Sequence, residues 1–146
     1  MTPLDRRLFF LLNRAQRALG TYAATGLDAH LGISVAQLTT LMFVAKHPGC
    51  SLTELADLLD LNKSAVTGLV QRMERAGTLR REPNPEDGRG SLLWTTPKGE
   101  ALRERAMPLV RRLNAEIAEG FTEAEIETVL RFLNQTVTRF SEPKES

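Results

Sequence analysis

Two helix-opening signals stand close together near the middle of the chain. Ser51-Leu52-Thr53-Glu54 has the form of a capping box, in which a serine and a glutamate three residues on satisfy each other's backbone donors. Asn62 is a second N-cap, ahead of Lys63-Ser64-Ala65-Val66. The helix between them has room for only a short run ending near Leu59, and the next helix runs on to Ala76, with Gly77 as its stop. Two helices joined by so short a turn are expected to form a helix-turn-helix, in which the second helix is the one that enters the major groove of a duplex.

The flanking sequence extends this unit on both sides. Thr2-Pro3 reads as an N-cap and first helical residue, and Leu4, Leu8, Leu11, Leu12, Ala15, Leu19 and Tyr22 follow helical spacing, so a first helix is expected from there to about Thr25, before Gly26. Ser34-Val35-Ala36-Gln37 is a capping box opening a second helix, with Ile33 and Leu38 as its hydrophobic staple; Pro48-Gly49 stops it after Lys46 or His47. After the helix-turn-helix, residues 79–82 and 91–95 read as two strands separated by a turn-rich loop over 83–90, a long-looped hairpin. Thr96-Pro97 opens a fifth helix, with Pro108 inside it as a source of bending and Gly120 as its end. Thr122-Glu123-Ala124-Glu125 is a further capping box. The sixth helix it opens carries Ile126, Val129, Leu130, Leu133, Val137 and Phe140 on one side. Residues 142–146 read as a disordered tail. The expected fold is mainly α with a small β-hairpin wing: one domain over 1–146, a winged helix-turn-helix lobe over 33–98, and helical dimerisation regions over 1–30 and 99–141.

Charge singles out the middle of the chain. Overall net charge is only +1, but residues 62–98 carry +3, against zero for 1–61 and −2 for 99–146. Within 62–81, Lys63, Arg72, Arg75, Arg80 and Arg81 face Glu74 alone. A local basic patch matters more to a polyanion than the total does. On the fourth helix, Val66, Leu69, Val70 and Met73 make the inward stripe, and Ser64, Thr67, Gly68 and Gln71 share the opposite face. That face is polar and small at its centre, so it can approach base edges and hydrogen-bond to them. Lys63, Arg72 and Arg75 are placed to reach phosphates, with the helix-start amides of Leu52 and Thr53 as additional donors. Arg89, between Gly88 and Gly90 on the hairpin, is suited to a narrow minor groove, and Asp87 can orient its guanidinium.

At these residues the sequence resembles the MarR family of bacterial transcription regulators. The resemblance is carried by Ser51-Leu52-Thr53-Glu54-Leu55-Ala56, Asn62-Lys63-Ser64-Ala65-Val66-Thr67 and Arg72-Met73-Glu74-Arg75-Ala76-Gly77. It continues through Arg80-Arg81 and Asp87-Gly88-Arg89 to Thr96-Pro97-Lys98-Gly99. Trp94-Thr95-Thr96 departs mildly, because the family often has an aliphatic residue there. The resemblance implies a homodimer held by the first, fifth and sixth helices, a palindromic double-stranded operator and, often, release by a small ligand or oxidant. Asp87 and Arg89 match the family's wing pair, and with Asn62, Lys63, Ser64, Thr67, Gly68, Gln71, Arg72 and Arg75, read from the fourth helix and its cap, they are the expected DNA-binding residues. An effector pocket lined by Tyr22, His30, Phe43 and Met107, with Met42 beside them, follows from the family architecture alone; core packing is the competing role for Met42 and Phe43.

Other functions find little in the sequence. There is no phosphate loop, no nucleophile–base pair and no metal-ligand spacing, so no catalytic residue, metal or cofactor is expected. The one cysteine, Cys50, precedes a helix start, where the dipole favours thiolate, but also occupies a staple position, where it would act as a small buried hydrophobe. The family's peroxide-sensing branch places its cysteine in the first helix, and residues 4–19 contain none. No apolar run approaches the ~20 residues of a membrane span, and the first residues lack a signal peptide's charged region, so a cytoplasmic setting is expected. The expectation is a DNA-binding regulator acting as a repressor; the alternative is a winged-helix module that contacts protein and has no operator specificity.

Overall fold

The computed structural model describes residues 2–141, and the side chains of Asp87 and Arg89 lie outside that description. The expected disordered tail over 142–146 also falls outside the described residues. Two compact units divide the chain, one ending at Leu109 and the other beginning at Val110.

The first unit opens with α1 (Leu8–Leu31), later at both ends than the sequence suggests. Thr2-Pro3 does not start it. The Asp5 carboxylate accepts bonds from the Arg7 backbone N–H at 3.0 Å and from its guanidinium at 2.8 Å, tying residues 5–7 into a local turn that holds off the helix. Nor does Gly26 end it. A glycine inside a helix costs only about 1 kcal/mol relative to alanine, and Leu27, which continuation of the helix buries, outweighs that. The stop is Gly32, whose left-handed φ of +65° lets its N–H reach the Asp28 carbonyl.

Helix α2 (Val35–Lys46) begins with the full capping box: Ser34 Oγ accepts from Gln37 N at 3.1 Å, and Gln37 Oε1 accepts from Ser34 N at 2.9 Å. Strand β1 (Cys50–Ser51) follows, an element with no separate signal in the sequence. It runs directly into α3 (Leu52–Leu59), where Ser51 Oγ accepts from Glu54 N at 3.1 Å but the return bond is replaced by one between the two side chains. Helix α4 (Lys63–Arg75) is capped by Asn62, whose side chain accepts from Ala65 N at 2.8 Å. The turn between α3 and α4 is made by Asp60 in the left-handed region at φ +53°.

The hairpin is tighter than expected. Strands β2 (Leu79–Asn84) and β3 (Asp87–Thr95) leave only Pro85 and Glu86 as the turn, and Asn84 Oδ1 accepts from the Glu86 N–H at 3.0 Å. The extra length expected in the loop lies instead within β3. Asn84 pairs with Asp87 and Pro83 with Ser91, so residues 88–90 bulge out of the ladder. Proline has no N–H to give the ladder, and the glycines on either side of Arg89 allow the backbone to leave it. The sheet order is β1-β3-β2, all antiparallel, with Cys50 opposite Leu93 and Arg80 opposite Trp94.

The core of this unit joins Leu41 and Val44 of α2, Cys50, Leu55 of α3, the α4 stripe Val66, Leu69, Val70 and Met73, and Leu79 and Leu93 of the sheet. These are the residues whose 3.6- and 2-residue periodicities point inward. Helix α5 (Pro97–Ala118) begins in the first unit and carries Pro108 just before the division. The second unit holds the end of α5 and α6 (Glu123–Phe140), opened by the reciprocal Thr122–Glu125 box. None of the α6 residues is buried, and Val129, Leu130, Leu133, Val137 and Phe140 are 41–77% exposed. Within the first unit, Leu4, Leu8, Phe9 and Phe10 are exposed in the same way.

Candidate nucleic-acid interface

Burial of the α4 stripe fixes which way the rest of that helix faces. With Val66, Leu69, Val70 and Met73 turned into the core, Lys63, Ser64, Gln71, Arg72 and Arg75 are exposed, and Thr67 and Gly68 are half-buried between them. Sequence reasoning therefore places this face correctly. The structure adds what each group has left to offer. Thr67 Oγ1 donates its proton to the Lys63 carbonyl at 2.7 Å, so outward it presents a methyl and acceptor lone pairs, not a donor. Asn62 spends its side-chain oxygen on the cap, and its amide donors are what it can offer a phosphate. Arg72 lies back over the helix: a Cβ built on Gly68 would meet its Nη1 at 3.6 Å.

The basic block separates into two groups. Arg81 pairs with Glu74 at 3.1 Å, linking β2 to α4. Arg80 pairs with Glu82 on its own strand and stacks 4.7 Å over the Trp94 ring across the hairpin. Lys63, Arg72 and Arg75 have no ion-pair partner among the described residues. Three of the cations on this lobe left without an acidic partner among the described residues therefore lie on α4. The Arg80–Trp94 stack was not legible in advance because it depends on the strand register. Trp94 also covers the turn at Gly49, where a Cβ would meet its Cζ2 at 3.3 Å.

Arg89 belongs to β3 and its bulge, three residues past the turn of the hairpin. Whether Asp87 orients it falls outside the described side chains. The four effector candidates lie on three helices. Tyr22 and His30 are exposed on α1, Met107 is half-buried on α5, and Phe43 packs against the core and 4.8 Å from the His47 ring. A shallow depression of about 440 Å³ on α6 is lined by Asn134, Gln135, Thr138 and Arg139, none of them a predicted residue. Cys50 is a core residue. Burial, helped by the charge of Glu54, pushes its thiol up to about 11, the reverse of the thiolate that a helix start would favour. Among the described residues no group of His, Cys, Asp and Glu could hold a metal ion. No single helix there is long and apolar enough to cross a membrane.

A two-turn helix, a tight turn, a helix packed by one face and open on the other, and a hairpin beside it define a winged helix-turn-helix lobe. A family model described as MarR family matches residues 31–90, from the last residue of α1 into β3. The multiple antibiotic resistance protein MarR of Escherichia coli is 28% identical over 136 residues, 92% of this chain and 91% of that protein. An HTH-type transcriptional repressor of Mycobacterium tuberculosis is 27% identical over 131 residues, 90% of this chain and 94% of that one. Among solved structures, a MarR protein from Peptoclostridium difficile shares the fold at a TM-score of 0.84 and 23% identity, covering 97% of this chain and 92% of its own. The chain is thus similar to MarR-family proteins, by the family model over 60 of its 146 residues and by these relatives over about nine-tenths of its length, and one of the relatives is named a transcriptional repressor.

Proposed function

We propose that this protein is a cytoplasmic repressor that binds a palindromic operator as a homodimer and is released by an effector. The observation that carries the proposal is the open face of α4. Ser64, Thr67, Gly68 and Gln71 offer small polar groups at its centre, and Lys63, Arg72 and Arg75 flank them with no acidic partner among the described residues. Bases would be read by Ser64, Thr67 and Gln71, phosphates held by Asn62, Lys63, Arg72 and Arg75, and the minor groove entered by Arg89, with Asp87 beside it. The reading assigns no catalytic residue. The exposed apolar residues of α6, and separately those near the N-terminus, suit burial against a second copy.

Cys50 bears on the class of effector. A buried thiol held protonated is a poor target for oxidants, which attack the thiolate, so a small molecule is the effector proposed. Tyr22, His30, Phe43 and Met107 are the residues to test for it, Phe43 being packed against the core and beside the His47 ring.

The decisive experiment is a mobility-shift titration of the full chain with DNA from upstream of its own gene, run across a series of salt concentrations against scrambled DNA. The expected result is a specific complex whose log affinity falls with log salt at a slope near −0.9 per phosphate neutralised. Arg89→Ala should cost roughly 1–3 kcal/mol of operator binding. Equal binding to scrambled DNA, or none to either, would instead favour a winged-helix module that contacts protein.

A further inference from the structure

Thr96-Pro97-Lys98-Gly99 carries part of the family resemblance, yet none of it lies on the proposed DNA-contacting face. It opens α5 and closes upon residues 76–78, the exit from α4. Three contacts make this joint. Gly99 is buried so tightly that a Cβ there would collide with the Thr78 carbonyl oxygen and reach Leu41 Cδ2 at 3.3 Å. Thr96 Oγ1 donates to the Gly77 carbonyl and accepts from Gly99 N at 3.0 Å, and Thr96 N donates to the Thr78 carbonyl at 3.2 Å. Lys98 Nζ donates to the Ala76 carbonyl at 2.6 Å, its stem lying 3.6 Å from where a Cβ on Gly77 would stand.

The first two contacts are packing at backbone scale. Lys98 is different: it is exposed and acts through the end of a flexible side chain. It also sits wrongly for its own helix. The first turn of a helix is its positive end and disfavours a lysine there. The ammonium instead lies against a carbonyl at the negative end of α4, where a cation is favoured. A residue misplaced for the helix that carries it and well placed for a neighbour acts as a link between the two.

We propose that Lys98 is a positioning residue for DNA recognition, a strap from the start of α5 that fixes the pitch of α4. The proposal rests on the reading of α4 as the DNA-contacting helix. Thirteen residues make α4 about 20 Å long. A tilt of about 5° at its strapped end moves the opposite end, where Lys63 and Ser64 lie, by roughly 1.7 Å, enough to break hydrogen bonds to bases. In a dimer the same tilt, applied twice, changes the separation of the two recognition helices.

The test uses the full chain with Lys98→Met, which keeps the stem and removes the ammonium, and Lys98→Arg, which keeps a cation. Affinities are measured for the wild-type operator and for versions with one base pair inserted or removed between half-sites, alongside thermal melts. Lys98→Met is expected to bind the native spacing roughly tenfold more weakly, the scale of a lost charge-assisted hydrogen bond. Its discrimination against altered spacing should flatten, and Lys98→Arg should restore both. Undiminished spacing discrimination in Lys98→Met overturns the strap alone. So does an equal loss at every spacing in step with a lowered melting temperature, which marks general destabilisation. A wild type that binds no operator overturns the DNA-binding reading and the strap with it.

Discussion

Replacing Gly68 by alanine should make the protein more stable and worse at its work. Gly68 lies in the interior of α4, and a Cβ added there meets nothing closer than Arg72 Nη1 at 3.6 Å, an ordinary van der Waals distance to the end of a flexible side chain. Folding therefore gains the usual difference between glycine and alanine in a helix, about 0.5–1 kcal/mol. For a chain of this size that is roughly 1–4 °C in melting temperature. The new methyl, however, stands at the middle of the face that approaches base edges, between Ser64, Thr67 and Gln71. Holding the helix off the groove would weaken several contacts together, so operator affinity should fall at least about tenfold, equivalent to ~1.4 kcal/mol. Calorimetry gives the first quantity, and fluorescence anisotropy with an end-labelled operator gives the second. Opposite signs cannot arise from damage to the fold. A variant that melts higher and binds the operator undiminished would refute the placement of this face against DNA.

Three further outcomes follow from the same geometry. Lys63→Ala should lower affinity for all DNA sequences alike and reduce the salt slope by about 1, as expected for one lost phosphate contact; a changed sequence preference would show that Lys63 reads bases. Gly99→Ala should destabilise the protein by about 3 kcal/mol in urea, the upper end for overpacking, because the atom it meets belongs to the Thr78 backbone. The Cys50 thiol is raised from 9.0 to about 11 in the folded state, so between those values the unfolded chain loses a proton that the folded one keeps. Its contribution to stability is complete below pH 9.0 and declines as pH rises toward about 11. Cys50→Ala should lack that decline when urea midpoints are compared across the range.

Local signals were legible where a side chain answers a backbone within a few residues. The boxes at Ser34 and Thr122, the Asn62 cap and the stops at Gly77 and Gly120 all act over such distances, and the structure contains each of them. The open face of α4 was legible too, because the periodicity of Val66, Leu69, Val70 and Met73 fixes its opposite side. The errors arose where longer-range terms decide. Burial of Leu27 carries α1 through Gly26, and the Asp5–Arg7 bonds delay its start. The wing read as a long loop because its turn residues, 83–90, are spread between a two-residue turn and a bulge. Strand β1, only two residues long, exists because Leu92 and Leu93 pair with it. Arg80 and Arg81 counted as free charge in the sequence, but strand alternation sets Arg80 beside Glu82 on β2, and packing of β2 against α4 brings Arg81 to Glu74.

The indole at the base of the hairpin gives the molecule an optical handle of its own. Trp94 is the sole tryptophan in the chain, and it touches both the guanidinium of Arg80 and the turn leading out of α2. All tryptophan emission therefore originates at one known point, where wing and helical scaffold meet. Motion that separates Arg80 from the ring changes the surroundings of that single emitter, so the behaviour of the wing on titration with DNA can be followed in unlabelled protein.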